Sequence, residues 1–184
     1  MAEEMDEVQL VRVLLDIPLF EDLDYTQISG LIEACDRLEP AAGEALCEPR
    51  TIDDRLLIFL SGKLRLEAAD GQDLGVYTEP RVMGEMGVFT GQTRSSRVVS
   101  EEPSQLLALG SEALQDLLEE DPQMGNHMLA NLIKLLYTRM YDTNEELGAL
   151  RDEVARLRAR LAELAPDDPI LSEYDIEEDA EPES

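Results

Sequence analysis

Apolar and polar positions along the chain change period twice. From Val8 to about Leu38 apolar residues recur at three and four spacing, with Leu10, Val13, Leu14 and Ile17 followed by Ile28, Leu31 and Ile32, the pattern of short amphipathic helices. Asp22, Leu23, Asp24 and the Thr26 hydroxyl mark a helix start between the two groups. From Gly43 to about Leu109 the period becomes that of strands. The runs ALCE, LLIFL, KLRLEA, LGVY, RVVS and LLAL are short and alternating or wholly apolar, and turn residues such as Asp70-Gly71, Glu79-Pro80 and Gly91-Gln92 separate them. Short strands with turns at roughly 8- to 12-residue spacing predict an antiparallel sandwich or jelly-roll barrel.

After Ser111 the helical period returns and persists. Leu129, Ile133, Leu136, Met140, Thr143, Leu147, Leu150, Val154, Leu157, Leu161 and Leu164 alternate steps of four and three, the signature of a coiled coil. With Ile133, Met140, Leu147, Val154 and Leu161 at a positions, Glu146 and Glu153 fall at g and Arg151 and Arg158 at e. In a parallel dimer Glu146 then faces the second copy's Arg151, and Glu153 its Arg158, so both pairs attract. Leucine dominates the d positions and β-branched Val154 stands at one a position, a combination that favours two strands. The fold class expected is α+β, mainly β: an antiparallel roll with flanking helices and a long C-terminal coiled-coil helix. Its divisions are a helical lead-in over residues 1–40, a β-roll over 41–125, a dimerising coiled-coil helix over 126–165 and an acidic, disordered tail over 166–184.

Charge narrows the partners. The 184 residues include 42 acidic and 15 basic side chains, a formal net charge of −27 that repels phosphate backbones and anionic lipid. Nucleic-acid and membrane-surface binding are therefore not expected. The acidic start MAEEMDEVQL lacks the basic and apolar regions of a signal peptide, and no apolar run approaches the length of a membrane span. Cys35 and Cys47 are the only cysteines and form no CxxC pair, which suits buried free thiols in a reducing compartment, so a cytoplasmic protein is expected. His127 has no neighbouring ligand set, Asp53-Asp54 is a turn in an acid-rich chain, and no nucleophile elbow, P-loop or zinc spacing occurs. Neither catalysis nor a bound metal is expected.

Against this acidity, the stretch GEMGVFTGQTRSSRVV over residues 84–99 places Arg94 and Arg97 around two serines. A glycine at 84 lets backbone approach a ligand, and the amides that follow, Met86 among them, can point at an anion. Arg94 offers a planar fork for phosphate, with the Ser95 and Ser96 hydroxyls beside it. Glu85 is an acceptor, unsuited to phosphate but suited to a sugar hydroxyl. An anion and a diol together are what a nucleotide presents.

Gly-Glu followed nine residues after the glutamate by Arg-Ser-Ser resembles the phosphate-binding cassette of the cyclic nucleotide-binding domain family, especially that of bacterial catabolite activators. IPLFEDLD and LLIFLSGKLRL are similar to that family in the same order, and the likeness covers roughly residues 8 to 145. It implies a roll in which Gly84 and neighbouring amides, Arg94 and Ser95 hold a cyclic phosphate while Glu85 takes the ribose 2′-hydroxyl. It also implies that the long helix dimerises and covers the purine, with Thr143 and Asn144 nearest to the base-contacting pair. Two turn glycines of the family are absent, replaced within CEPRTIDD by Pro49 and Arg50 and in EPRVMGE by Arg81. Because the coil runs into the acidic tail, no counterpart of the activators' helix-turn-helix is expected.

The function expected is thus a dimeric, non-catalytic sensor of a cyclic mononucleotide, cAMP first and cGMP as a compatible alternative, that signals through an unidentified protein effector. A competing expectation is a scaffold whose roll has kept the fold and lost the ligand, with Arg94 merely paired to an acid.

Overall fold

The computed structural model describes residues 5–166 and Leu171. It divides into two compact units, residues 1–135 and 136–184.

The first unit opens with two capped helices. In α1 (Glu7–Leu15) the Asp6 side chain accepts from the Gln9 amide and the Gln9 side chain accepts from the Asp6 amide; Asp24 and Gln27 repeat this device at α2 (Tyr25–Glu33). Losing such a cap costs about 1 kcal/mol. The start expected around Asp22, Leu23, Asp24 and Thr26 falls at Asp24, which caps the helix, and a 3₁₀ turn over Pro18–Phe20 joins the pair. The helical pattern had run on to about Leu38, but α2 stops at Glu33 and Asp36–Leu38 forms a strand, β1, paired with a later strand.

The other strands are β2 (Ala45–Cys47), β3 (Arg55–Ala68), β4 (Asp73–Tyr77), β5 (Arg81–Met83) and β6 (Ser96–Gly110), all antiparallel. The two long strands β3 and β6 pair along most of their length, and each carries two short partners. β3 takes β5 opposite Leu57–Phe59 and β4 opposite Leu64–Glu67; β6 takes β1 opposite Leu106–Ala108 and β2 opposite Val98 and Val99. Runs that looked like separate strands are therefore joined: Ser61-Gly62 lies inside β3, and Pro103 inside β6. Register shifts at Phe59/Ser61, Ser61/Lys63 and Lys63/Leu64 explain how, because a bulge bends a strand without ending it and accepts a proline that cannot donate. At the bend Gly62 has φ +108°, and a Cβ there would lie 2.3 Å from Ser104 Oγ, so only glycine fits.

The bent sheet encloses Leu57, Phe59, Leu64, Leu66, Met83, Val98, Leu106 and Ala108, with Leu38, Leu46, Cys47 and Tyr77 packed against them. Alternate residues Leu56, Ile58, Leu107 and Leu109 are also buried, since the opposite face of β3 and β6 lies under α1 and α4 (Ser111–Glu120). A short helix, α3 (Glu85–Thr90), connects β5 to the loop before β6. The long helix α5 (Pro122–Leu164) starts in this unit, where Met124, Met128, Asn131 and Leu132 are buried and Asn131 Nδ2 donates to the Glu21 and Leu19 carbonyls. His127 Nδ1 lies 3.2 Å from the Asp22 carbonyl oxygen, a packing contact.

The second unit is the remainder of α5. Along it Met140, Leu147, Leu150, Val154, Leu157 and Leu164 are 45–71% exposed, a continuous apolar stripe. Ion pairs Glu153–Arg156 and Arg160–Glu163 run along the helix surface. The acidic tail lies outside the described residues, apart from Pro166 and Leu171. No helix among the described residues is long and apolar enough to cross a membrane.

Candidate functional site

Gly84, Glu85 and Arg94 come together at the crossover from β5 to β6. Gly84 caps α3 in the left-handed region, φ +85°, and the position its Cβ would occupy falls on Arg94 Nη1. The guanidinium thus rests on bare backbone, a contact that any side chain at 84 would abolish. Glu85 and Arg94 are 4% and 6% exposed, both charged groups sheltered by the fold. Met86 is half-buried on α3, Ser96 is half-buried at the start of β6, and Ser95 is exposed. Thr143 and Asn144 belong to the second unit and are exposed on α5.

Arg94 does not stand alone. Its Nη2 lies 3.0 Å from Asp53 Oδ2 and donates to the Arg55 carbonyl at 2.5 Å. Asp53 also accepts from Arg55, through Nε at 2.9 Å, Nη2 at 3.2 Å and the backbone amide at 3.1 Å. Burial alone would raise the Asp53 carboxyl, but the hydrogen bonds from Arg55 and Arg94 outweigh it and hold the group at about 2. The two backbones are tied as well: the Arg94 amide donates to the Thr51 carbonyl at 2.9 Å, and the Arg50 amide to the Arg94 carbonyl at 2.8 Å. The loop that had looked like a departure from the family pattern is therefore part of the site. Arg50 has φ +63°, so the turn keeps a glycine-like conformation with an arginine in it.

Asp53 went unrecognised in the sequence because an acid in a turn is unremarkable among 42, and its partner lies 41 residues away. Its pairing satisfies only part of the Arg94 guanidinium. Both contacts fall on Nη2, while the Nε–H is buried and meets no acceptor. A buried donor left so costs about 1–3 kcal/mol, which a ligand oxygen would recover. Cys47, the half-buried thiol beside this corner, is pushed up by burial, with Arg94 opposing. A cleft of about 260 Å³, bordered by Leu38, Leu46 and Arg55, opens nearby; Gly84, Glu85 and Arg94 do not line it.

Two further residues face the roll interior. Arg81 lies opposite Phe59 and Tyr77 opposite Leu64, and directly opposed residues of an antiparallel pair share a face. The Arg81 Cζ sits 3.6 Å over the Tyr77 ring centroid, and its Nε is buried without a hydrogen-bond partner. The sequence marked Arg81 only as a lost glycine.

Comparison with known proteins agrees with this architecture. The cyclic nucleotide-binding domain family matches residues 37–121. The catabolite activator protein of Thermus thermophilus superposes with a TM-score of 0.66 at 27% identity, over 80% of this chain and 72% of that one. The regulatory domain of Toxoplasma gondii PKA, co-crystallised with cAMP, superposes with a TM-score of 0.55 at 25% identity, over 62% of this chain and 46% of that one. An uncharacterized NTE family protein of Mycobacterium bovis is 24% identical over 123 residues, 67% of this chain, and this chain spans about a fifth of its length, 21%. Over residues 37–121, which hold most of its β-roll, the chain matches the cyclic nucleotide-binding domain family.

Proposed function

We propose that the protein is a non-catalytic regulatory sensor whose roll binds a cyclic mononucleotide, cAMP or cGMP, and which acts as a dimer through α5 on a protein effector. The observation that carries this reading is the Arg94 guanidinium: sheltered, resting on Gly84, held at Nη2 by Asp53, and with an Nε–H still lacking an acceptor. Asp53 neutralises the cation without using the donor that a phosphate oxygen would take. Two or three charge-assisted hydrogen bonds of about 1.5–3 kcal/mol each supply much of the roughly 8 kcal/mol behind micromolar affinity. Glu85, beside this corner, is the candidate acceptor for the ribose hydroxyl. The exposed apolar stripe on α5 supports pairing with a second copy, and free half-buried thiols suit a cytoplasmic setting. Neither nucleic acid nor membrane is part of the proposal, on charge grounds.

The Asp53–Arg94 pair favours a second reading, a ligand-free scaffold in which the carboxylate has replaced the guest. Isothermal titration of the full chain with cAMP and cGMP separates the two. The sensor reading expects saturable heat from at least one nucleotide and its loss in Arg94→Leu, with circular dichroism showing that the variant stays folded. Absence of heat from both nucleotides on the unaltered chain supports the scaffold.

A further inference from the structure

The base is left open by the phosphate corner, and the inference that follows rests on the nucleotide-sensor reading. We propose that Arg81 reads the base edge of a guanine, so that the roll selects cGMP over cAMP.

Arg81 is an unexpected residue where it stands. β5 pairs with β3 so that Arg81 faces Phe59 and Met83 faces Leu57, and both partners lie in the apolar interior of the roll. The Arg81 side chain therefore leaves the strand on the interior face, among Leu64, Met83 and Tyr77, and among the described residues it makes no ion pair. What holds it is the Tyr77 ring, with Cζ 3.6 Å from the centroid. Stacking of this kind occupies the face of the guanidinium and leaves its in-plane donors pointing outward. The Nε–H is one of them, and it is buried with no acceptor.

Position agrees with that assignment. Arg81 precedes Gly84 by three residues on the strand that delivers the phosphate corner, a rise of roughly 10 Å, which is the reach of a mononucleotide from phosphate to base edge. Chemistry then decides between purines. Guanine shows two acceptors, N7 and O6, that match the arginine fork; adenine shows N7 beside an amino donor, which would set donor against donor in an apolar surrounding.

Titration of the full chain with each nucleotide, on the unaltered protein and on Arg81→Leu and Arg81→Lys, tests this. The expected result is cGMP bound roughly tenfold or more tighter than cAMP, the discrimination of one bidentate arginine–guanine contact. Both variants should lose the preference by weakening cGMP more than cAMP; lysine keeps the charge but not the fork. Equal or tighter cAMP binding by the unaltered chain overturns the inference while sparing the sensor reading. So does a preference that survives both substitutions, or an equal loss for both nucleotides, which would mark Arg81 as structural. A chain silent to both nucleotides overturns the two together.

Discussion

The corner around Arg94 and the outer stretch of α5 differ in what they leave unsatisfied. At the corner much is made within the chain: Asp53 takes the charge, the Arg55 carbonyl takes a donor, Gly84 gives the guanidinium a floor, and the buried Nε–H is left without an acceptor. Along α5 Met140, Leu147, Leu150, Val154, Leu157 and Leu164 leave about half or more of their surface exposed. One region lacks a polar atom, the other lacks a surface. A directional, small deficit suits a ligand that arrives and leaves, whereas an extended apolar one suits a lasting partner of matching shape, such as a second copy of this helix.

That contrast can be broken most forcefully on the helix. Leu147→Asp with Val154→Asp should convert a dimer to monomers, weakening association by on the order of a thousandfold or more, because each buried aliphatic side chain contributes about 1.5–3 kcal/mol. Analytical ultracentrifugation checks it, and the roll should unfold at an unchanged temperature in denaturation of the monomer. Asp53→Asn should do the converse, leaving assembly intact and destabilising the roll by about 3 kcal/mol, since it strands a sheltered guanidinium. Its pH dependence sharpens the point. The Asp53 carboxyl is held at about 2 against an unfolded value of 3.8, so its stabilisation is complete above pH 4 and is lost as pH falls toward 2. Chemical denaturation across that window should show a fall in the unaltered chain that is shallower in Asp53→Asn. The smallest effect is expected at Arg50→Gly, which relieves the left-handed φ of +63° and should stabilise the roll by about 1 kcal/mol, seen as a small rise in melting temperature.

Local signals made much of this visible in sequence. Changes in hydrophobic period located the lead-in helices, the roll and the long helix, and Asp24 marked a helix start because capping is a nearest-neighbour device. The Gly84, Glu85 and Arg94 cluster was legible because its members lie within eleven residues. What stayed hidden depends on contacts between distant segments. Strand continuity through Ser61-Gly62 and Pro103 depends on bulges that a one-dimensional pattern reads as breaks. Asp53 acquires meaning only when the turn before β3 meets the loop before β6. Arg81 is legible only once the β3–β5 register shows which face it occupies.

The central claim is that Arg94 keeps one donor for a phosphate oxygen. The most direct measurement is the ¹H–¹⁵N resonance of the Arg94 Nε–H in the full chain, assigned by its absence from Arg94→Lys, followed as cGMP or cAMP is added to saturation. The account predicts a downfield proton shift and slowed solvent exchange at that one site as the hydrogen bond forms. A resonance that neither moves nor gains protection at saturating nucleotide would contradict it.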